Sequence, residues 1–142
     1  MLLRLRNISS AFVEKESLCK YYIIDNGLIS LQLMNADTIL LENLVALDLF
    51  RRYGHDDDNQ TVWFYSDNIE VDFYVPEKKL AIQASYSILG DETRERETEG
   101  LIKLPKVHPC ERRVIITYDE EETISDALGT IEVIPYWKWA LK

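Results

Sequence analysis

A chain of 142 residues, 46% hydrophobic and 29% charged, has the length and composition of one globular domain, which excludes a disordered segment. Its 25 acids against 16 bases leave a net charge of −9, disfavouring a domain that grips nucleic acid through the phosphate backbone. No apolar run approaches a membrane span, and arginines interrupt the apolar start "MLLRLRNISS", so a cytoplasmic protein without a membrane partner is expected.

Cys19 and Cys110 lie far apart without a C-x-x-C pair, which predicts two reduced thiols rather than a zinc site or disulfide. Residues 20–24, "KYYII", read as a short strand, and Asp25, Asn26 and Gly27 supply turn chemistry after it. From Asp37 to Tyr53 the pattern is helical: Asp37 or Thr38 can cap the start, Arg51 and Arg52 suit the C-terminal dipole, and Gly54 stops it. "GHDDDNQ" follows as a polar loop. Strands are expected at 61–66, 69–75 and 80–86, and a second helix at about 91–104, capped by Asp91, with Glu92 and Arg96 paired at i,i+4 and Pro105 just beyond its end. "RVIITY" (113–118) reads as a buried strand, "DEEE" as a solvated charge run, "TIEVI" (130–134) as another strand and "YWKWALK" as a short closing helix. With no repeat or linker, residues 1–142 form one α/β domain around one mixed central sheet flanked by helices.

The acids of that sheet are the chemical candidates. Strict alternation puts Glu70, Asp72 and Tyr74 on one face of their strand and Ile69, Val71, Phe73 and Val75 on the other. A four-residue turn, Pro76 to Lys79, pairs Val75 with Leu80, Asp72 with Gln83 and Glu70 with Ser85, so the polar residues converge on one face. Glu42 lies along the helical stripe of Val45, Ala46 and Leu49, where a carboxylate needs a partner or a route to water. Glu42 and Asp72 beside an amide oxygen would make a hard, oxygen-rich pocket suited to magnesium or manganese; no other cofactor is expected. A solvated sheet face explains the same alternation without any function.

Other features point to packing. His55-Asp56-Asp57-Asp58 reads as a solvated loop and "TRERE" as a salt-bridged helix face; His108 has no partner motif. Trp63, Trp137 and Trp139 read as core or subunit-contact residues, and no Gly-rich phosphate loop or Ser/His/Asp motif is present. Tyr136, Trp137 and Trp139 within a short terminal helix leave aromatic surface for a protein partner or a second copy of the chain.

The ordered set "KYYIIDNGL", "LLENLVALDLFRR", "EVDFYV", "IQASYS" and "ETRERE", with "IEVIPYWKWAL" at the end, resembles the C-terminal domain of unknown function found in prokaryotic AAA-type P-loop ATPases. The resemblance implies a restriction-endonuclease-like core of the PD-(D/E)xK type, at about 37–118, with the C-terminal strand and helix at about 130–141. It carries the nuclease-type positions over to Glu42, Asp72, Gln83 and Ser85, with Glu42 and Asp72 as metal ligands. Upstream ATPase and winged-helix portions are absent, so the chain resembles a detached C-terminal domain that binds no ATP. The lysine of the Gln-x-Lys motif is Ser85 here, and Arg94 is the one replacement cation the sequence suggests. The expected function is therefore a non-catalytic accessory or assembly domain. The alternatives are a weak magnesium- or manganese-dependent DNA nuclease with a displaced cation, and a DNA-binding module without cleavage.

Overall fold

Strands β1 (Leu2–Arg6) and β2 (Cys19–Ile23) pair antiparallel in a small sheet of their own. The larger sheet is built from β3 (Trp63–Ser66), β4 (Glu70–Val75), β5 (Leu80–Ala84), β6 (Arg112–Thr117), β7 (Glu122–Asp126) and β8 (Gly129–Pro135). Its order is β3-β4-β5-β6-β8-β7, with β5, β6 and β8 parallel and the other neighbours antiparallel. Helices α1 (Asp37–Tyr53), α2 (Asp91–Lys103) and α3 (Tyr136–Ala140) complete the computed structural model, which describes residues 2–9, 19–27 and 37–142. The α/β class and the mixed sheet flanked by helices are as the sequence predicts. Leu28 of the "KYYIIDNGL" motif lies outside the described residues. No described helix is long and apolar enough to cross a membrane.

Two apolar layers cover the sheet. Leu41, Val45, Ala46, Leu49 and Phe50 of α1 pack on Phe73, Val75, Ile82 and Ile116, joined by Leu5 and Tyr22 of the small sheet. On the other face Leu101 and Leu104 cover Val71, Tyr74, Ala81, Ile115 and Val133. Each such fully buried side chain contributes about 1.5–3 kcal/mol relative to exposure. The parallel step from β5 to β6 needs a crossover, and α2 provides it.

Several local expectations change. Gly54, at φ 61°, does end α1, and His55 N–H then donates to Phe50 O at 2.9 Å. Asp91 is not the cap of α2: Gly90 holds that place without a side-chain bond, and Asp91 sits in the first turn, where its charge suits the helix dipole. Arg96 turns to Glu97 rather than to Glu92. "LLRLR" and the end of the charge run are strands, β1 and β7; β7 is an edge strand whose acids keep it mostly solvated.

The largest difference lies in β4. Trp63 pairs with Tyr74 and Tyr65 with Val71, so three steps on β4 stand against two on β3. This β-bulge breaks the pleat alternation: Val71 joins Tyr74 under α2, whereas Phe73 and Val75 face α1. Asp72 is at the break.

Candidate functional site

The site begins with how β2 is held. Asn43, buried on α1, accepts the Ile23 N–H at 2.8 Å and donates to Ile23 O at 2.6 Å, pinning β2 against the helix. Residues 20 and 22 then face the same way. Tyr22 donates its hydroxyl to Glu42 Oε1 at 2.7 Å, and Lys20 Nζ enters the space between the acids.

That ammonium stands 3.1 Å from Glu70 Oε1, 3.3 Å from Asp72 Oδ1 and 3.5 Å from Glu42 Oε1. Glu42 is thus near Asp72, as the sequence predicts, but a lysine 52 residues before Asp72 in the chain lies between them. Burial alone would push the Lys20 ammonium down; the Asp72, Glu42 and Glu70 carboxylates outweigh it and hold it well above its ordinary value. Asp72 is pushed up to about 7, first by burial and then by the Glu42 charge, against the downward pull of Lys20 and the Ala84 N–H. Both partners rise because one ammonium cannot balance three carboxylates. Burial, then Glu42 and Asp72, also push the Tyr22 phenol up.

Gln83 acts as a strand brace. The expected pairing of Val75 with Leu80 is present, and the regular ladder runs to Phe73 opposite Ile82. Beyond it the Gln83 amide replaces the ladder: Oε1 accepts the Asp72 N–H at 2.8 Å, and Nε2 donates to Glu70 O at 2.9 Å. Gln83 therefore reaches Asp72 through the backbone, from the α2 side, while the Asp72 carboxylate reaches Lys20 on the α1 side; they do not share a face as expected. Asp72 Oδ2 accepts the Ala84 N–H at 2.9 Å, so each strand grips the other. Gly100 lets α2 come this close, since a Cβ there would lie 2.4 Å from Glu70 O.

Lys20, Thr38, Glu42, Glu70, Asp72, Gln83 and Ala84 line a cleft of about 270 Å³, closed on the α2 side by Arg96 and Glu97. Glu97 is pushed up by burial, against its Arg96 partner. Ser85 is not part of the lining: it is buried, and its hydroxyl donates to Ser87 O at 3.0 Å. Arg94 is not the replacement cation either, because both its amino groups go to Glu122. Sequence reasoning missed Lys20 and Asn43. The available signal was the i,i+2 spacing of Lys20 and Tyr22, which sets a lysine on the face that an aromatic turns to the core.

The remaining candidates are structural. His55 Nδ1 accepts the Thr61 and Val62 N–H groups and its ring stacks on Phe50 at 4.5 Å, so it is spent on the loop. His108 packs between Tyr65 and Tyr74. Both cysteines are half-buried, and neither is in a disulfide. Trp139 is buried and donates Nε1–H to Asp48 at 3.0 Å, whereas Trp137 is 59% exposed.

Comparison with known proteins adds one relative. The chain is 37% identical over 134 residues to the uncharacterized protein MJ1544 of Methanocaldococcus jannaschii, a match covering 88% of this chain and 30% of that protein. The chain thus spans about 30% of the length of the curated relative it matches. No family model and no solved structure matches.

Proposed function

We propose that the cleft belongs to a weak, magnesium- or manganese-dependent DNA nuclease in which Lys20 supplies the cation that position 85 lacks. The observation that carries this is the Lys20 ammonium within 3.5 Å of Glu42, Glu70 and Asp72. A nuclease of this kind needs a positive group beside the acids to neutralise developing phosphoryl charge, and the strand that delivers it is immaterial. Once Asp72 has given up its proton, three carboxylates against one ammonium leave two negative charges, the complement of one divalent ion, and all offer hard oxygens. Among the described residues no three acids, histidines or cysteines stand as a preformed metal centre; these carboxylates are spaced around an ammonium. The donor set therefore fits by charge and chemistry. Glu42 and Asp72, with Glu70 beside them, would hold the ion, which when bound would stabilise phosphoryl charge.

The chain's own residues prepare that site. Tyr22 orients Glu42, Gln83 fixes the Asp72 backbone, and Lys20 keeps the acids together in the absence of an ion. Supercoiled and branched DNA incubated with magnesium or manganese tests the proposal. Slow cleavage is expected, lost by about 10²-fold or more in Asp72→Asn and Lys20→Ala and partly kept in Lys20→Arg. Failure of the wild-type protein to cleave either substrate would sink it.

A second reading is the non-catalytic accessory or assembly domain of an AAA-type ATPase. It is favoured by the Gln83 amide being committed to backbone and by the −9 charge. Lys20 would then be a purely structural clasp. Paramagnetic resonance of manganese separates the two: the nuclease reading expects uptake that Glu42→Gln with Asp72→Asn removes, the accessory reading none.

A further inference from the structure

A larger hollow, about 640 Å³, opens beside the cleft, and nothing in the nuclease reading uses it. The two are neighbours: Thr38 lines the cleft, Tyr86 lines the hollow, and the Tyr86 N–H points at Thr38 Oγ1 at 3.4 Å. Leucines of α1 form its floor, and Tyr86, Tyr118, Tyr136 and Trp137 form its walls. Tyr86 and Tyr118 stack at 4.9 Å with their planes 11° apart. Tyr118 and Trp137 remain 57% and 59% exposed.

The charge of this hollow has one sign. Among the described residues the charged ones in its lining are Asp37 and Asp119, with no lysine or arginine. Both acids bear on one ring: the Tyr86 phenol is pushed up by burial first, then by Asp37, Tyr118 and Asp119. Aromatic faces are themselves electronegative, so rings and carboxylates select the same kind of ligand. A phosphate-bearing strand is repelled by the same groups.

We propose that this hollow docks a lysine or arginine side chain carried on an apolar segment of a partner protein. The apolar part of the segment would cover the leucine floor, and its cation would sit between the tyrosine and tryptophan faces under Asp37 and Asp119. Such a site is independent of cleavage in the cleft and survives if that activity is absent.

The test uses the full chain and three probes: the capped tripeptides Leu-Arg-Leu and Leu-Glu-Leu, and oligothymidine. The Trp137 indole N–H resonance, assigned with Trp137→Phe, is the readout. Leu-Arg-Leu should shift it saturably, at least about tenfold more tightly than Leu-Glu-Leu, and Asp119→Asn should weaken binding about tenfold. Because Trp137 and Asp119 are exposed, neither substitution threatens the fold. Four results would overturn the proposal. These are no saturable shift with Leu-Arg-Leu at millimolar concentration, an equal response to Leu-Glu-Leu, a response to oligothymidine instead, or a dimer in sedimentation that Trp137→Ala dissolves.

Discussion

Two ion clusters in this protein are built in opposite ways. Under α2, Arg113 and Asp126 pair one to one; Arg113 also donates to Leu101 O at 3.3 Å, and both side chains are nearly closed to water. Around Lys20, one ammonium serves three carboxylates in an open cleft. The hydrogen bonds from Arg113 hold Asp126 below the usual carboxylate range, whereas Asp72 is pushed up to about 7. Balanced charge with satisfied bonds is what a structural pair needs. Unbalanced charge facing solvent persists at a cost, and such sites are where function concentrates.

The sharpest way to break this contrast is to remove the cation from each. Arg113→Ala leaves the half-buried Asp126 without its cation and the buried Leu101 carbonyl without this donor, and should cost about 1–3 kcal/mol. Lys20→Ala leaves Glu70 and part of Glu42 in reach of water and the buried Asp72 able to hold a proton, so chemical denaturation should show a smaller loss. Equal losses would mean that the two clusters do the same structural job.

Titration sharpens the same point. The folded protein keeps a proton on Asp72 that the unfolded chain releases from about pH 4 upward. Its contribution is therefore fully present at low pH and is lost as pH rises through about 7. Lys20, held above its ordinary value, keeps its contribution throughout this window. Asp126 has the reverse sign: its stabilisation is present at neutral pH and lost as pH falls through its depressed value. In EDTA, the wild-type protein should lose on the order of 1–3 kcal/mol between pH 5 and pH 8 relative to Asp72→Asn. Glu97 slopes the same way in both proteins, so the difference isolates Asp72. Parallel stability curves for the two would show that Asp72 ionises normally.

The sequence made the regular parts of this fold legible. The helix 37–53 shows an apolar stripe, a basic last turn and a stopping glycine, and the turn Pro76–Lys79 set the β4–β5 register. Strands β1 and β7 were obscured because each doubles as something else by composition, an N-terminal apolar stretch and an acidic run. Alternation failed at Asp72 because a bulge inserts one residue, and nothing local in "EVDFYV" announces it. Glu42 and Asp72 were legible as acids needing a partner. The partner was not, because contact between residues 52 apart depends on how Asn43 seats β2.

The smallest expected effect concerns Arg94, the cation that the sequence pointed to. Its guanidinium bridges Glu122 of β7, with the two side chains 38% and 40% exposed. The Glu122 carboxyl is held below its usual value by that bond. An exposed pair of this kind contributes about 0–1 kcal/mol, since water and salt screen it and two long side chains lose freedom in forming it. Arg94→Ala should therefore change stability by less than about 1 kcal/mol, and the change should shrink further in high salt. It should leave any cleavage rate and any manganese uptake unaltered, because Arg94 is not among the residues that line the cleft. Lys20→Ala, assayed beside it, should alter both. Loss of cleavage in Arg94→Ala with activity intact in Lys20→Ala would move the working cation from β2 to α2. The Lys20 cluster would then be a clasp and nothing more.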